Sequence, residues 1–156
     1  LDSDYIWYTD KLEICVSKLN NGSGLVCHGL RWFGKRKRDQ LYGRAHRAIF
    51  DSLLYKGNCI ATSATVVQKK MVESVGGFSE DSKIVPVEDY HLWLKLARNG
   101  IKVEFINLIL GGYRFHNANT GTIIKQANAE KYVLNLFFRE RQLRRLGDRI
   151  RERFRF

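Results

Sequence analysis

Two aspartates stand one residue apart in "LDSDYIWYTDKLE", Asp2 and Asp4 around Ser3. Neighbouring carboxylates raise the cost of ionising each other, so folding alone gives no reason to cluster them. In an extended segment, side chains two apart point the same way. Two carboxylates converging on one point suit a hard divalent cation, Mg²⁺ or Mn²⁺, which keeps coordination positions open for substrate phosphates. A solvated acidic turn ahead of a helix is the plainer reading of the same residues. A second acidic pair, Glu88-Asp89, opens an apolar helix pattern, where acids either compensate the helix dipole or supply a general base toward a hydroxyl. His116 follows Arg114 closely in "YRFHNANTG" and suits a metal ligand, a phosphate contact or a structural role. His28, His46 and His91 read as structural. Gly76-Gly77 is a helix stop or a place where backbone approaches a ligand.

The elements that must hold these residues follow from periodicity. "TDKLEICVSKLNNG" reads as a helix capped at Thr9 or Asp10, with Leu12, Cys15, Val16 and Leu19 on one face and Asn-Gly as its stop. The aspartates then lie in the loop before it. "GLVCHGLRWFG" suggests a strand and "KRKRD" a solvated charged turn. A helix near 44–55, a β-branched strand over 60–67 and a short helix "QKKMVESV" ending on Gly76-Gly77 come next. "VEDYHLWLKLARNG" carries an apolar stripe of Tyr90, Leu92, Trp93, Leu96 and Ala97 with Asn99-Gly100 as its stop. "KVEFINLIL" is a strand, "GGYRFHNANTG" a loop, and a long basic helix starts at about Ala127. This order of strands and helices is α/β.

The 156 residues suffice for one core, and 44% apolar residues with a single proline describe a folding chain. Against 16 acidic residues stand 27 lysines and arginines, a net charge of +11 that favours an anionic partner: nucleic acid, a phospholipid surface or a nucleotide-linked substrate. Lys131 to Phe156 holds nine cations and three anions, more than half of that excess. Cys15, Cys27 and Cys59 are odd in number and match neither a zinc spacing nor a disulfide framework, so they read as buried thiols in a reducing compartment. Apolar runs such as "INLIL" at 106–110 fall far below the ~20 residues that span a bilayer, and no signal peptide pattern is visible. The chain lacks an initiating Met, so its natural N-terminus is expected upstream.

Taken together, "LDSDYIWYTDKLE", "GNCIATSATVVQKKMVESVGGFSED", "VEDYHLWLKLARNG" and "YRFHNANTG" resemble, in order and spacing over about residues 1–125, the second half of family 2 glycosyltransferases of the GT-A fold. The resemblance implies a partial GT-A mixed sheet flanked by helices, the N-terminal nucleoside-binding half being absent. It implies that Asp2 and Asp4 engage the divalent cation and the diphosphate of a UDP-, dTDP- or GDP-sugar, with Asp4 as the direct ligand, His116 beside the metal and Arg114 on the diphosphate. It further implies that Asp89, with Glu88 beside it, deprotonates the acceptor hydroxyl for an inverting single displacement. Gly76, Gly77 and Phe78 match the acceptor side, and Trp93 is a wall or core residue of the same helix. Tyr5 stands where many members carry a further acid. A sheet lacking its first strands exposes an edge, so the isolated chain is expected to transfer sugar weakly or not at all.

Residues 1–126 are thus expected to form the C-terminal part of a transferase domain and 127–156 a basic amphipathic helix. Leu136, Leu143, Leu146, Ile150 and Phe154 lie near one face of that helix, a pattern suited to a packed helix or to an anionic membrane surface reached through 131–156. A cytoplasmic enzyme, peripheral on the inner face of the membrane and acting on a cell-surface glycan or lipid-linked acceptor, fits that pattern. The alternative is a basic module that binds nucleic acid or anionic membrane without catalysis, although the chain contains no nucleic-acid motif.

Overall fold

Leu25 to Leu30 are buried without interruption, the burial of a strand covered on both faces. They form the first half of β2 (Leu25–Gly34), the centre of a five-stranded mixed sheet. The structure, a computed structural model, describes residues 4–115 and 123–153, with side chains described over 4–115 and 124–143. Along the chain come β1 (Tyr5–Trp7), α1 (Lys11–Asn20), β2, β3 (Arg38–Gln40), α2 (Phe50–Lys56), β4 (Thr65–Val67), α3 (Lys69–Ser74), α4 (Glu88–Arg98), β5 (Val103–Phe115) and α5 (Ile123–Arg153), with one-turn 3-10 helices at Ala45–Arg47 and Thr62–Ala64.

β2 and β5 run parallel from Leu25 opposite Val103 to Gly34 opposite Phe115. The other edge of β2 is shared by two short antiparallel strands, β4 along Leu25–Cys27 and β3 along Leu30–Trp32. β1 closes the far edge of β5, antiparallel, with Tyr5 opposite Tyr113. Alternation along β2 divides the core: Val26 joins Cys15, Leu19, Ile106 and Leu110 beneath α1, whereas Leu25 and Cys27 join Leu53, Leu92, Trp93, Val133 and Phe137 beneath α2, α4 and α5. The start of α5 is therefore part of the main core.

α4 and the stop of α3 lie where periodicity places them. Gly76 and Gly77 adopt φ of +77° and +67°, and the Gly77 N–H bonds the Val72 carbonyl, a left-handed helix end that glycine reaches without strain. Other boundaries differ. The expected helix at 44–55 divides into a 3-10 turn and α2, the strand expected over 60–67 is confined to Thr65–Val67, and α5 begins at Ile123 rather than Ala127. On α1 the buried face is Lys11, Cys15 and Leu19, while Leu12 and Val16 are exposed, because the i, i+4, i+8 row faces the sheet. Of the apolar tail residues, Leu143 is exposed and Leu136 half-buried; Leu146, Ile150 and Phe154 lie outside the described side chains.

The expected loop from Gly111 is instead the end of β5, which continues to Phe115 between β1 and β2. The glycines admit a close crossing: a Cβ on Gly111 would stand 2.7 Å from the Ile6 carbonyl oxygen, whereas one on Gly112 would meet the Phe33 ring at 3.1 Å and the Arg31 carbonyl oxygen only at 3.7 Å. Gly111→Ala is expected to lower unfolding free energy by about 1–3 kcal/mol, as overpacking against backbone does, and Gly112→Ala by less. Denaturant titration of both variants checks the ranking.

Candidate functional site

Ligands of parallel α/β sheets sit outside the carboxyl ends of the strands. Here that end is marked by Gly34 of β2 and Phe115 of β5. Beside it the Arg114 N–H donates to the Asp4 carbonyl at 2.7 Å, and the Tyr5 and Tyr113 rings stack with centroids 4.8 Å apart. Asp4 and Arg114, read from motifs over a hundred residues apart, thus meet at one corner of the sheet. β1 separates Asp4 from α1, so the aspartate precedes an edge strand rather than a helix directly. Asp2 and His116 lie outside the described residues. Among the described residues no three His, Cys, Asp or Glu side chains gather as a metal site; of the expected ligands, Asp4 alone is described.

The second acidic pair opens α4. The Thr62 hydroxyl donates to Asp89 Oδ2 at 2.5 Å, and the Tyr90 N–H donates to Oδ1 at 2.6 Å. The Tyr90 hydroxyl bonds the Leu53 carbonyl at 2.6 Å, which fixes this turn against α2. Each oxygen of Asp89 therefore accepts one protein hydrogen bond and keeps capacity for another. Glu88 Oε2 is buried and has no hydrogen-bond partner among the described residues. A buried acceptor left unsatisfied costs about 1–3 kcal/mol, so this oxygen is poised for a donor.

A buried lysine joins the two places. Lys11 is 1% exposed; its ammonium donates to the Ser63 carbonyl at 3.1 Å and stands 4.2 Å from the centre of the Trp7 ring. Trp7 ends the strand that Asp4 precedes, and Ser63 follows Thr62. The Asp4 strand is thereby tied to the turn that holds Asp89. Neither Thr62 nor Lys11 was singled out from the sequence. Thr62 sits in a β-branched run that mimics a strand, while Lys11 takes the first place of the buried i, i+4 row, a signal visible only once its partner 52 residues away is known.

Gly76 and Gly77 lie at the end of α3, and Lys95 of α4 donates to the Gly77 carbonyl at 2.8 Å, which binds this turn to the helix carrying Asp89. Phe78 is 50% exposed, whereas Trp93 is 2% exposed within the main core. A groove of about 890 Å³ walled by Tyr42, Arg44, Lys102, Glu104 and Phe105 contains none of the expected site residues and runs along the amino-terminal half of β5. A family model described as Glycosyl transferase family group 2 matches residues 32–154, more than half of the chain.

The chain belongs to this glycosyl transferase family. The mixed, helix-flanked sheet is accordingly a partial GT-A-like fold, and the role of the chain is glycosyl transfer. The matched segment contains Glu88, Asp89 and Arg114 and begins after Asp2 and Asp4. Membership implies a nucleotide-sugar donor and an acceptor, with a divalent metal common in the family. No curated protein matches the chain.

Burial sets the acid–base behaviour of this transferase around its sheet. It pushes Lys11 down to about 8 and His28 to about 4. For His28 the Nδ1–H donated to the Gly29 carbonyl at 2.7 Å partly offsets burial, and the Lys11 charge adds to it. His91 is lowered as well, first by burial and then by Lys95. The unfolded chain takes up these histidine protons near pH 6.5, but the folded chain resists them, so stability is present above pH 6.5 and is lost as pH falls toward 4. Lys11 has the same slope at higher pH, its contribution rising between about 8 and 10.5. At 1.36 kcal/mol per unit, His28 accounts for a loss of about 3 kcal/mol by pH 4. Denaturant midpoints across pH 4–7 are expected to show this slope, and His28→Asn to flatten it.

Proposed function

We propose that the chain carries the metal-side and acceptor-side residues of an inverting transfer from a nucleotide-diphospho-sugar to an acceptor hydroxyl. The observation that carries this reading is the tie from the Asp4 strand through Lys11 to the Thr62–Asp89 hydrogen bond. It supports the reading in which Asp4 is the cation-binding carboxylate and Asp89 the base, held in a fixed relation as a displacement at one carbon between two groups requires.

In this reading Asp89 accepts the acceptor proton. Thr62 holds one of its oxygens in place and leaves the remaining lone pairs to the incoming hydroxyl. Glu88 stands beside Asp89 on the first turn of α4 and assists that base. Phe78, half exposed beside the Gly76-Gly77 turn, offers an apolar face to a sugar, and Trp93 supports that helix from the core. Arg114 contacts the diphosphate of a UDP-, dTDP- or GDP-sugar.

The oxygen donors of Asp4 and Asp2 fit Mg²⁺ or Mn²⁺, with His116, two positions after Arg114, as a further ligand. Such a cation neutralises charge on a departing diphosphate. A place at the inner face of the cytoplasmic membrane, reached through the basic residues of 131–156, suits polysaccharide or glycolipid synthesis. No described helix is long and apolar enough to cross a membrane.

Calorimetric titration of UDP, dTDP and GDP with and without Mn²⁺ tests the assignment. Metal-dependent binding of one of them is expected, weakened about tenfold or more in Asp4→Ala, at least as much as loss of a group that only orients a ligand costs, and kept in Asp89→Asn. Binding indifferent to both Mn²⁺ and Asp4 would contradict it.

A further inference from the structure

The turn read as solvated charge is built differently from a solvated turn. β2 and β3 form a hairpin whose tip carries Lys35, Arg36, Lys37 and Arg38. The nearby carboxylate, Asp39, is already engaged: Arg31, directly opposite it, donates Nε and Nη2 to its two oxygens at 2.8 and 2.9 Å. Among the described residues no carboxylate pairs with the four tip cations. Two of them are held by rings instead. Arg36 stands 4.8 Å from the centre of Phe115, Arg38 stands 4.1 Å from that of Trp32, and those two rings are stacked on each other at 5.5 Å. The tip is also pinned to the end of β5. The Lys35 N–H donates to the Phe115 carbonyl, and Gly34, at φ +89°, passes where a Cβ would stand 2.8 Å from that same oxygen.

A guanidinium lying on a ring loses freedom but keeps its in-plane N–H fork, the geometry that matches phosphate oxygens. Two such forks, on positions 36 and 38, stand at the carboxyl end of the parallel strands, where Phe115 adjoins Arg114. We infer that Arg36 and Arg38 form a phosphate-binding site that recognises a phosphate or diphosphate group of a substrate at this end of the sheet. The inference rests on the proposed placement of the site at the carboxyl ends of β2 and β5, but it requires neither Asp4 nor a metal. Lys35 and Lys37 carry the same charge on the same turn without a ring beneath them among the described residues, and so serve as the internal control.

The test uses the full chain in EDTA, with inorganic pyrophosphate followed by calorimetry and phosphatidylcholine–phosphatidylglycerol vesicles followed by co-sedimentation. Arg36→Gln/Arg38→Gln is expected to weaken pyrophosphate binding about tenfold or more, as loss of two charge-assisted forks does. Lys35→Gln/Lys37→Gln, which alters only the general field, is expected to cost about threefold or less. If the arginine pair also governs vesicle binding, the phosphate is that of a lipid headgroup or lipid-linked substrate; if vesicle binding is unchanged, it is that of a soluble ligand. Equal losses in the two double variants, or no pyrophosphate binding by the unaltered chain, would overturn the site. Asp4→Ala is expected to leave this binding intact, so its failure is separable from failure of the metal-dependent reading.

Discussion

Every residue considered for chemistry hangs on the parallel pairing of β2 with β5. One edge of β5 receives β1, which brings Asp4 beside Arg114. The opposite edge of β2 receives β3 and β4, and β4 is entered through the turn that holds Thr62. α4, which leads into β5, presents Glu88 and Asp89 on its first turn. The pairing is regular from Leu25 opposite Val103 to Cys27 opposite Phe105 and then shifts register twice, between Cys27 and Gly29 and between Gly29 and Arg31, so that β5 takes extra residues to bring Phe115 opposite Gly34. Burial of Leu25–Leu30 on one strand, and of Val103, Ile106 and Leu110 on the other, holds the pair together.

The polar interior complements this frame. Lys11, His28 and Ser23 are buried, with the Ser63 carbonyl, the Gly29 carbonyl (at Nδ1) and the Glu104 carboxylate as partners, while His28 Nε2 has no partner among the described residues. Such partners offset much of the cost of taking a polar group out of water and favour one packing over others. Lys11 also brings its butyl stem into the layer beneath α1, so it serves as both core and tie. The bond to Ser63 makes the position of α1 depend on the turn before β4, which is the turn that orients Asp89.

Much of this was legible from the residues. The apolar periodicity of α4 and its Asn-Gly stop reflect local rules that tertiary packing did not need to override, and the glycine pair after α3 adopts the left-handed conformation its composition suggests. The motif order was sufficient to suggest the family, later shown by the match over residues 32–154. Gly111-Gly112 misled because two glycines suggest a turn, whereas here the missing side chain of Gly111 lets β1, and that of Gly112 lets Phe33 of β2, lie close against β5. Leu12 and Val16 misled because hydrophobic character does not by itself decide which side of a ten-residue helix faces a sheet; the buried row begins with a lysine. Thr62, Lys11 and the ring-held arginines were invisible for a shared reason: each owes its role to a partner at least several residues away in sequence, which no local pattern encodes.

Asp4, Arg114, Thr62 and Asp89 are proposed as members of one ligand site at the carboxyl ends of β2 and β5. Paramagnetic broadening of backbone amide resonances by Mn²⁺ in the presence of UDP tests it most directly. Broadening is expected to centre on Asp4 and Arg114, to extend to Thr62 and Asp89, and to spare the groove walled by Arg44 and Glu104. Broadening centred on that groove, with the amides of Asp4 and Asp89 unaffected, would contradict it.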